Sequence, residues 1–388
     1  EGRGRAMLGQ VLEQQGKFDE AVVELTQSFE SLAASEDRGA AAAVISLAKI
    51  RCARGEFGVA ADELKRGLEI AIKTKFGPAV LQAVEWLGWT YYHMQEFDQA
   101  EPYYRETLRI GLANALPDLI DKSYANLAGI LWEGARYDEL NDVVDEGTAW
   151  ATENERPLLA TTLALIGAQA TVAGGDARAG LKRFKAAESL VRANDVKRLP
   201  EVLRGLGNAL RRMGNASAAV RYYERSIDVA KKAGQSVDEG RGLIDLAGAQ
   251  SALGAYPDAL DAIDAALAST RAAKDVVNEA IATSTKGYLR WSLGDYEGAA
   301  RLFESAQEIA EHIGNRRAVL SAIGNLGVVM KELGEPEDAI AQLREATALA
   351  QTMGDREVEA TYGANLAQVL AATGAVDEAK AEAAKAAA

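Results

Sequence analysis

Gly16, Gly55, Gly175, Gly214, Gly254, Gly294, Gly334 and Gly374 lie on one grid with steps of 39 or 40 residues, and Gln95 and Ala135 occupy its two remaining points. A fixed period of this length marks stacked supersecondary units and decides the fold before any residue is read singly. Around Gly294 the chain reads Leu293-Gly294-Asp295-Tyr296-Glu297-Gly298-Ala299-Ala300. A helix-like run precedes it from Ala282 to Ser292, and another follows from Arg301 to Ala306, so the unit is helix–turn–helix. The turn returns as Gly254-Ala255-Tyr256-Pro257-Asp258-Ala259 and as Gly334-Glu335-Pro336-Glu337-Asp338-Ala339. Glycine suits it because a left-handed residue between two helices carries no Cβ penalty there.

Side-chain size follows the same grid. Five residues past the turn stand Ala21, Ala60, Ala100, Leu140, Gly180, Ala219, Ala259, Ala299, Ala339 and Ala379, mostly small, where the two helices of a hairpin must approach. Nine past it stand large apolar residues, among them Leu25, Tyr104, Phe184, Tyr223 and Phe303, and twelve past it small ones again, such as Ser28, Gly67, Thr107, Ala266 and Ala306. Seven before it come Gly9, Ala48, Gly88, Ala128, Ala168, Gly207, Ala247, Gly287, Gly327 and Ala367. These offsets share one helix face, alternating knob and hole. Ten units are expected, with boundaries near 40, 80, 120, 160, 199, 239, 279, 319 and 359, forming one all-α domain over 1–388 as an α-solenoid. Gly234, Gly314 and Gly354, with Asn114, Asn154 and Asn194, are expected as left-handed caps between units. Pro78, Pro117, Pro157 and Pro200 fall in joints between units, Pro257 and Pro336 in first turns, and Pro102 slightly deeper. The pattern weakens in units four and five, where Leu140, Gly167 and Gly180 depart from it, so residues 135–185 are expected to pack more loosely.

A repeat array grows by stacking and needs no single large core, so 388 residues do not imply several globular domains. The net charge of −14 disfavours a general role on nucleic acid or an anionic membrane. One cysteine, Cys52, excludes an internal disulfide, and two histidines leave little for a metal site. No apolar run approaches the roughly 20 residues of a membrane span, so a cytoplasmic location is expected, with no cofactor. A first residue of Glu1 suggests a piece of something longer.

Leu326-Gly327, then Gly334, Ala339, Leu343 and Ala346, resemble the tetratricopeptide repeat signature of a Leu-Gly pair, a turn Gly, an Ala, a large apolar residue and a final Ala. The resemblance covers essentially the whole chain. Its 40-residue period, with Gly314-Asn315 and Gly354-Asp355 in place of the closing proline, is similar to the long repeats of cell-polarity adaptors, kinesin light chains, bacterial Rap-type regulators and the sensor arms of signal-transduction ATPases and transcription activators. It implies a right-handed superhelix, an α-solenoid whose first helices line the concave face, and a non-enzymatic scaffold for a protein or peptide. The runner-up it implies is a ligand- or peptide-sensing arm of a larger regulator.

Residues ten, six and three before each turn point away from the expected core and form one stripe on each first helix. Unit two contributes Ile45, Lys49 and Cys52 to it; unit three Glu85, Trp89 and Tyr92, with His93 beside them; unit four Trp132; unit eight Ser284, Tyr288 and Trp291. Aromatic residues so placed are candidate anchors for a peptide or helix; the plainer reading is that they fill space between first helices. Arg204, Asn208, Arg211, Arg212 and Arg241 form the candidate pocket for a carboxylate or an acidic segment. The plainer alternative pairs them with Glu201, Asp238, Glu239 or Asp245 on a solvated face. Trp86, one residue out of the stripe, reads as core, and Tyr103, Tyr104, Tyr222 and Tyr223 as packing residues. His93 would serve as an acid or base only with a carboxylate in reach, and Glu133 holds the same offset one unit on, but a lone histidine reads more plainly as structural; Gly174-Gly175 lacks the Lys-Ser or Lys-Thr of a phosphate loop. Catalytic residues are therefore not expected.

Overall fold

The computed structural model describes residues 1–33, 37–353 and 355–386, with the side chain of residue 357 outside the description. Among these, twenty α-helices and no strands occur, and the chain divides at Asp176 and Ala177 into two compact units. The first holds α1 (Gly2–Gln14), α2 (Phe18–Leu32), α3 (Arg38–Ala53), α4 (Phe57–Lys73), α5 (Gly77–His93), α6 (Phe97–Ala113), α7 (Pro117–Glu133), α8 (Tyr137–Glu153) and α9 (Pro157–Ala173). The second holds α10 (Ala177–Asn194), α11 (Leu199–Arg212), α12 (Ala216–Lys232), α13 (Ser236–Ala252), α14 (Tyr256–Ala272), α15 (Val276–Ser292), α16 (Tyr296–His312), α17 (Arg316–Leu333), α18 (Pro336–Met353), α19 (Arg356–Ala372) and α20 (Val376–Ala386).

Within each unit a helix packs on its neighbours in sequence, the arrangement of an all-α repeat solenoid. Most successive odd-numbered helices also approach one another, as α1 with α3 and α13 with α15, with α5 and α7 farther apart, while even-numbered helices make no comparable approach. Each unit therefore curves with its odd helices on the inside.

The turn grid is the left-handed grid. Gly254, Gly294 and Gly334 have φ of 75°, 80° and 80°, and Gln95 and Ala135 take φ of 61° and 53° at the two points without glycine. At Gly294 the N–H of Asp295 donates to the Arg290 carbonyl (2.9 Å), closing α15, while the Asp295 carboxylate accepts from Gly298 N–H (2.9 Å), opening α16. One residue thus ends one helix and starts the next.

Size alternation has a direct cause. Gly207 on α11 lies under the ring of Tyr223 on α12, and Gly88 on α5 under Tyr104 on α6; an added Cβ would stand 2.5 Å and 2.8 Å from those rings. The large residue nine past the turn fills the space that the missing side chain leaves seven before it. Where Leu140 replaces the hairpin alanine, α7 and α8 approach less closely than α3 and α4. Lys286, in the place usually held by leucine, reaches Asp264 at 2.5 Å.

Three expectations need correction. Asn114, Asn154 and Asn194 are not left-handed: φ is −112° and −102° at the first two, and positive φ falls on Ala115 and Glu155 instead. Each asparagine donates its side-chain N–H to the carbonyl four residues back, satisfying the helix end from an ordinary conformation. After Asn194 a short 3-10 turn at Val196–Arg198 leads into α11. Gly234 and Gly314 are left-handed (φ 68° and 67°), and Gly354 lies outside the described residues. Pro78, Pro117, Pro157 and Pro200 stand in first helical turns rather than in joints, and Pro102 lies inside α6, where it returns no bond to the Asp98 carbonyl. Ile45 and Cys52, expected on the inner stripe, are buried, because α3 is covered on nearly every side.

Candidate partner-binding clefts

The stripe residues meet a second row on the next odd helix. Side chains ten and six before one turn face those thirteen and nine before the following turn, and the space between the two rows opens as a cleft. Its floor is the small residue twelve past the intervening turn.

Between α15 and α17 this cleft has a volume of about 450 Å³. Ala280, Ile281, Ser284, Thr285 and Tyr288 form one wall, Ala318, Ser321 and Asn325 the other, and Ala306 of α16 the floor. Ile281 and Tyr288 are 41% and 50% exposed, too open for core residues of a closed hairpin. A smaller extension of about 100 Å³ runs past Tyr288 to Trp291, Phe303 and Val328. Trp291 packs against Tyr288 with ring centroids 5.6 Å apart, and its Nε1–H is buried with no acceptor among the described residues. Tyr288 and Trp291, both named on the unit-eight stripe, thus line adjoining parts of one cleft.

Between α5 and α7 the equivalent cleft is about 390 Å³ and is lined by Glu85, Trp86, Trp89, Tyr104, Thr107, Lys122, Ser123 and Asn126. Burial pushes the Glu85 carboxyl above the usual carboxylate range, and nearby Lys122 offsets part of that. Trp86 is not core: it stands half-buried on the wall, 5.2 Å from Trp89, with Lys49 Nζ 5.8 Å from its ring centroid. Tyr92 and His93 lie outside the cleft lining. His93 packs on Trp89 (3.7 Å between centroids) with Nδ1 2.9 Å from the Trp89 carbonyl, and Tyr92 packs on Phe97. Trp132, farther along α7, meets Tyr137 edge-on at 5.7 Å and shares no cleft with Trp89.

The arginine set is partly internal. Arg204 Nε is 3.5 Å from Asp245 Oδ2 on α13, and Arg241 reaches its helix neighbour Asp238 at 4.0 Å. Asn208 accepts a 2.7 Å hydrogen bond from the Tyr223 hydroxyl, the polar tip of a buried ring. Burial raises the Tyr223 phenol, with Asp245 adding to the shift and Arg211 opposing it. Asp245 is itself raised by burial, against Arg204 and Arg211. Arg211, Arg212 and Arg241 are exposed. Tyr103 stacks on Tyr91 at 5.8 Å, and Tyr104 and Tyr223 are buried, as packing residues should be.

Cys52 is no accessible thiol: its Sγ lies 3.3 Å from the Thr90 hydroxyl and burial pushes its pKa up. Among the described residues no cluster of three or more His, Cys, Asp or Glu side chains is arranged to hold a metal ion, and no helix is long and apolar enough to cross a membrane.

Sequence reasoning missed the opposite walls, Lys122 and Asn126 in one cleft, Ser321 and Asn325 in the other. The signal was the same 40-residue shift, applied to rows thirteen and nine before the turn.

Tetratricopeptide repeat models match residues 198–272 and 278–352, residues 87–111 and residues 2–25, together half of the chain. No curated protein matches. Among solved structures, a Signal Transduction ATPase with Numerous Domains carrying a tetratricopeptide repeat sensor, from Pyrococcus horikoshii, is 17% identical with a TM-score of 0.52. The match covers 84% of this chain and 52% of that one, so the chain spans about half its length. BtubC from P. vanneervenii is 19% identical with a TM-score of 0.47 (54% and 88% covered). The Rap conjugation gene regulator of the plasmid pLS20, in complex with a Phr peptide, is 13% identical with a TM-score of 0.49 (61% and 75% covered).

Proposed function

The chain belongs to the tetratricopeptide repeat family, and from that premise we propose that it is a non-enzymatic scaffold capturing a protein or peptide on its odd-helix face. The α15–α17 cleft carries this reading. It joins an apolar floor and exposed Ile281 and Tyr288 to a hydroxyl- and carboxamide-bearing rim, the combination that seats a peptide side chain beside its backbone. Trp291 Nε1–H, buried without an acceptor among the described residues, supplies a donor for a ligand carbonyl. Aromatic anchors in a lined pocket are where binding energy concentrates. A partner with an acidic segment or a carboxylate would meet Arg211 and Arg241, since Arg204 is engaged by Asp245.

A second reading is a sensing arm of a larger regulator. It draws on the fold likeness to the ATPase described as bearing a repeat sensor, of which this chain spans about half.

Panning a random-peptide library against the protein tests the first reading. Recovered peptides should lose binding to Ser284→Arg, which fills the cleft, and keep it with Asp261→Arg on the exposed side of α14. Equal binding to both variants would overturn it.

A further inference from the structure

The repeat register sets one position in three kinds of chemical company. The residue ten before the turn is Ser284 on α15, Arg204 on α11 and Glu85 on α5, and nine before the next turn, on the following odd helix, stands Asn325, Asp245 or Asn126. At α15–α17 both are neutral. At α11–α13 opposite charges meet and the site closes on itself. At α5–α7 a carboxylate and a carboxamide line opposite walls, and Glu85 has no ion pair among the described residues: Lys122, on the same wall as Asn126, acts on it only as a nearby charge.

The Glu85 wall is otherwise aromatic. Trp86 and Trp89 stand edge to face, with Tyr104 behind them. Indole rings attract cations, more strongly where water is excluded, and the chain already places Lys49 over Trp86. That lysine is held from the far side by Glu13 at 2.5 Å and does not serve Glu85. A charge of −14 over the chain adds a long-range pull on basic partners.

We infer that the α5–α7 cleft is a pocket for a basic side chain, an arginine or lysine presented by the peptide or protein partner, with Glu85 as counter-ion and the Trp86–Trp89 pair as wall. It rests on the scaffold reading and assigns the chemistry one cleft selects. Arginine fits best, because a planar guanidinium donates two hydrogen bonds to one carboxylate and lies flat on an indole. Lys122 is then an internal competitor for the same carboxylate.

The test uses two short alanine-based peptides with a central arginine or its neutral isostere citrulline, titrated into the whole protein by calorimetry. The arginine peptide should bind about tenfold tighter, as expected of a charge-assisted pair over a neutral one. Glu85→Gln should remove the preference without lowering the thermal melt, and Lys122→Met, at an exposed position, should widen it. Equal affinities, no binding of the arginine peptide, or a preference that survives Glu85→Gln would overturn the assignment. Panned peptides that lose binding to Ser284→Arg yet show no arginine preference would remove this pocket and leave the scaffold reading standing.

Discussion

Arg204 and Asp245 join α11 to α13 through an ion pair of 3.5 Å, each side chain about three-quarters withdrawn from solvent. Burial nevertheless holds the Asp245 carboxyl above the ordinary aspartate range, so desolvation outweighs the two arginines that oppose it. The sign of the pH effect follows. Between the unfolded pKa and the raised native one, the folded protein keeps a proton that the unfolded chain has released. Stability from this group is therefore full below that interval, falls as pH rises through it, and is flat above. Asp245→Asn removes the dependence. Urea midpoints of both proteins, measured upward from about pH 4, should show wild type losing ground to the variant as pH rises; a constant or opposite difference contradicts the account.

Gly207→Ala should destabilise by about 1–3 kcal/mol, because the new methyl meets the Tyr223 ring at 2.5 Å and that ring is held by its bond to Asn208. Gly129→Ala is the control. Nothing lies within 4 Å of its added Cβ in the interior of α7, so it should stabilise by about 0.5–1 kcal/mol through helix propensity. Denaturant melts of the two variants check both signs.

Gln95→Gly should raise stability by about 1 kcal/mol, since Gln95 takes φ 61° at a point where most units carry glycine. Gly254→Ala, at φ 75°, should lower it by a similar amount. A thermal melt that ranks them the other way would remove the left-handed turn as the reason for the glycine grid.

The fold was legible because one physical requirement repeats: a left-handed turn, a small residue at the hairpin, and a large one seated over a glycine such as Gly207. Each appears as a residue type on a fixed grid. The caps were less legible. Asn114 and Asn154 tolerate positive φ, but their amides serve the helix end equally well from ordinary backbone, and sequence does not choose between the two. Ile45 and Cys52 were misplaced because offset alone does not reveal how many neighbours cover a helix. Half of each cleft was visible, as Glu85 and Trp89 or Ser284 and Tyr288. The other half lay on the following odd helix, in a row at different offsets from its turn. Asn208 shows the limit most plainly: its position suggested a ligand contact, and its side chain caps a buried tyrosine.

Partners seated on the odd-helix face would shield its backbone amides. Amide hydrogen exchange, with and without a peptide recovered by panning, measures this shielding. New protection is expected in α15 and α17, around Ile281 to Tyr288 and Ser321 to Asn325, with α14 and α16 unchanged. Protection confined to the even helices, or absent from both α15 and α17, would contradict that placement.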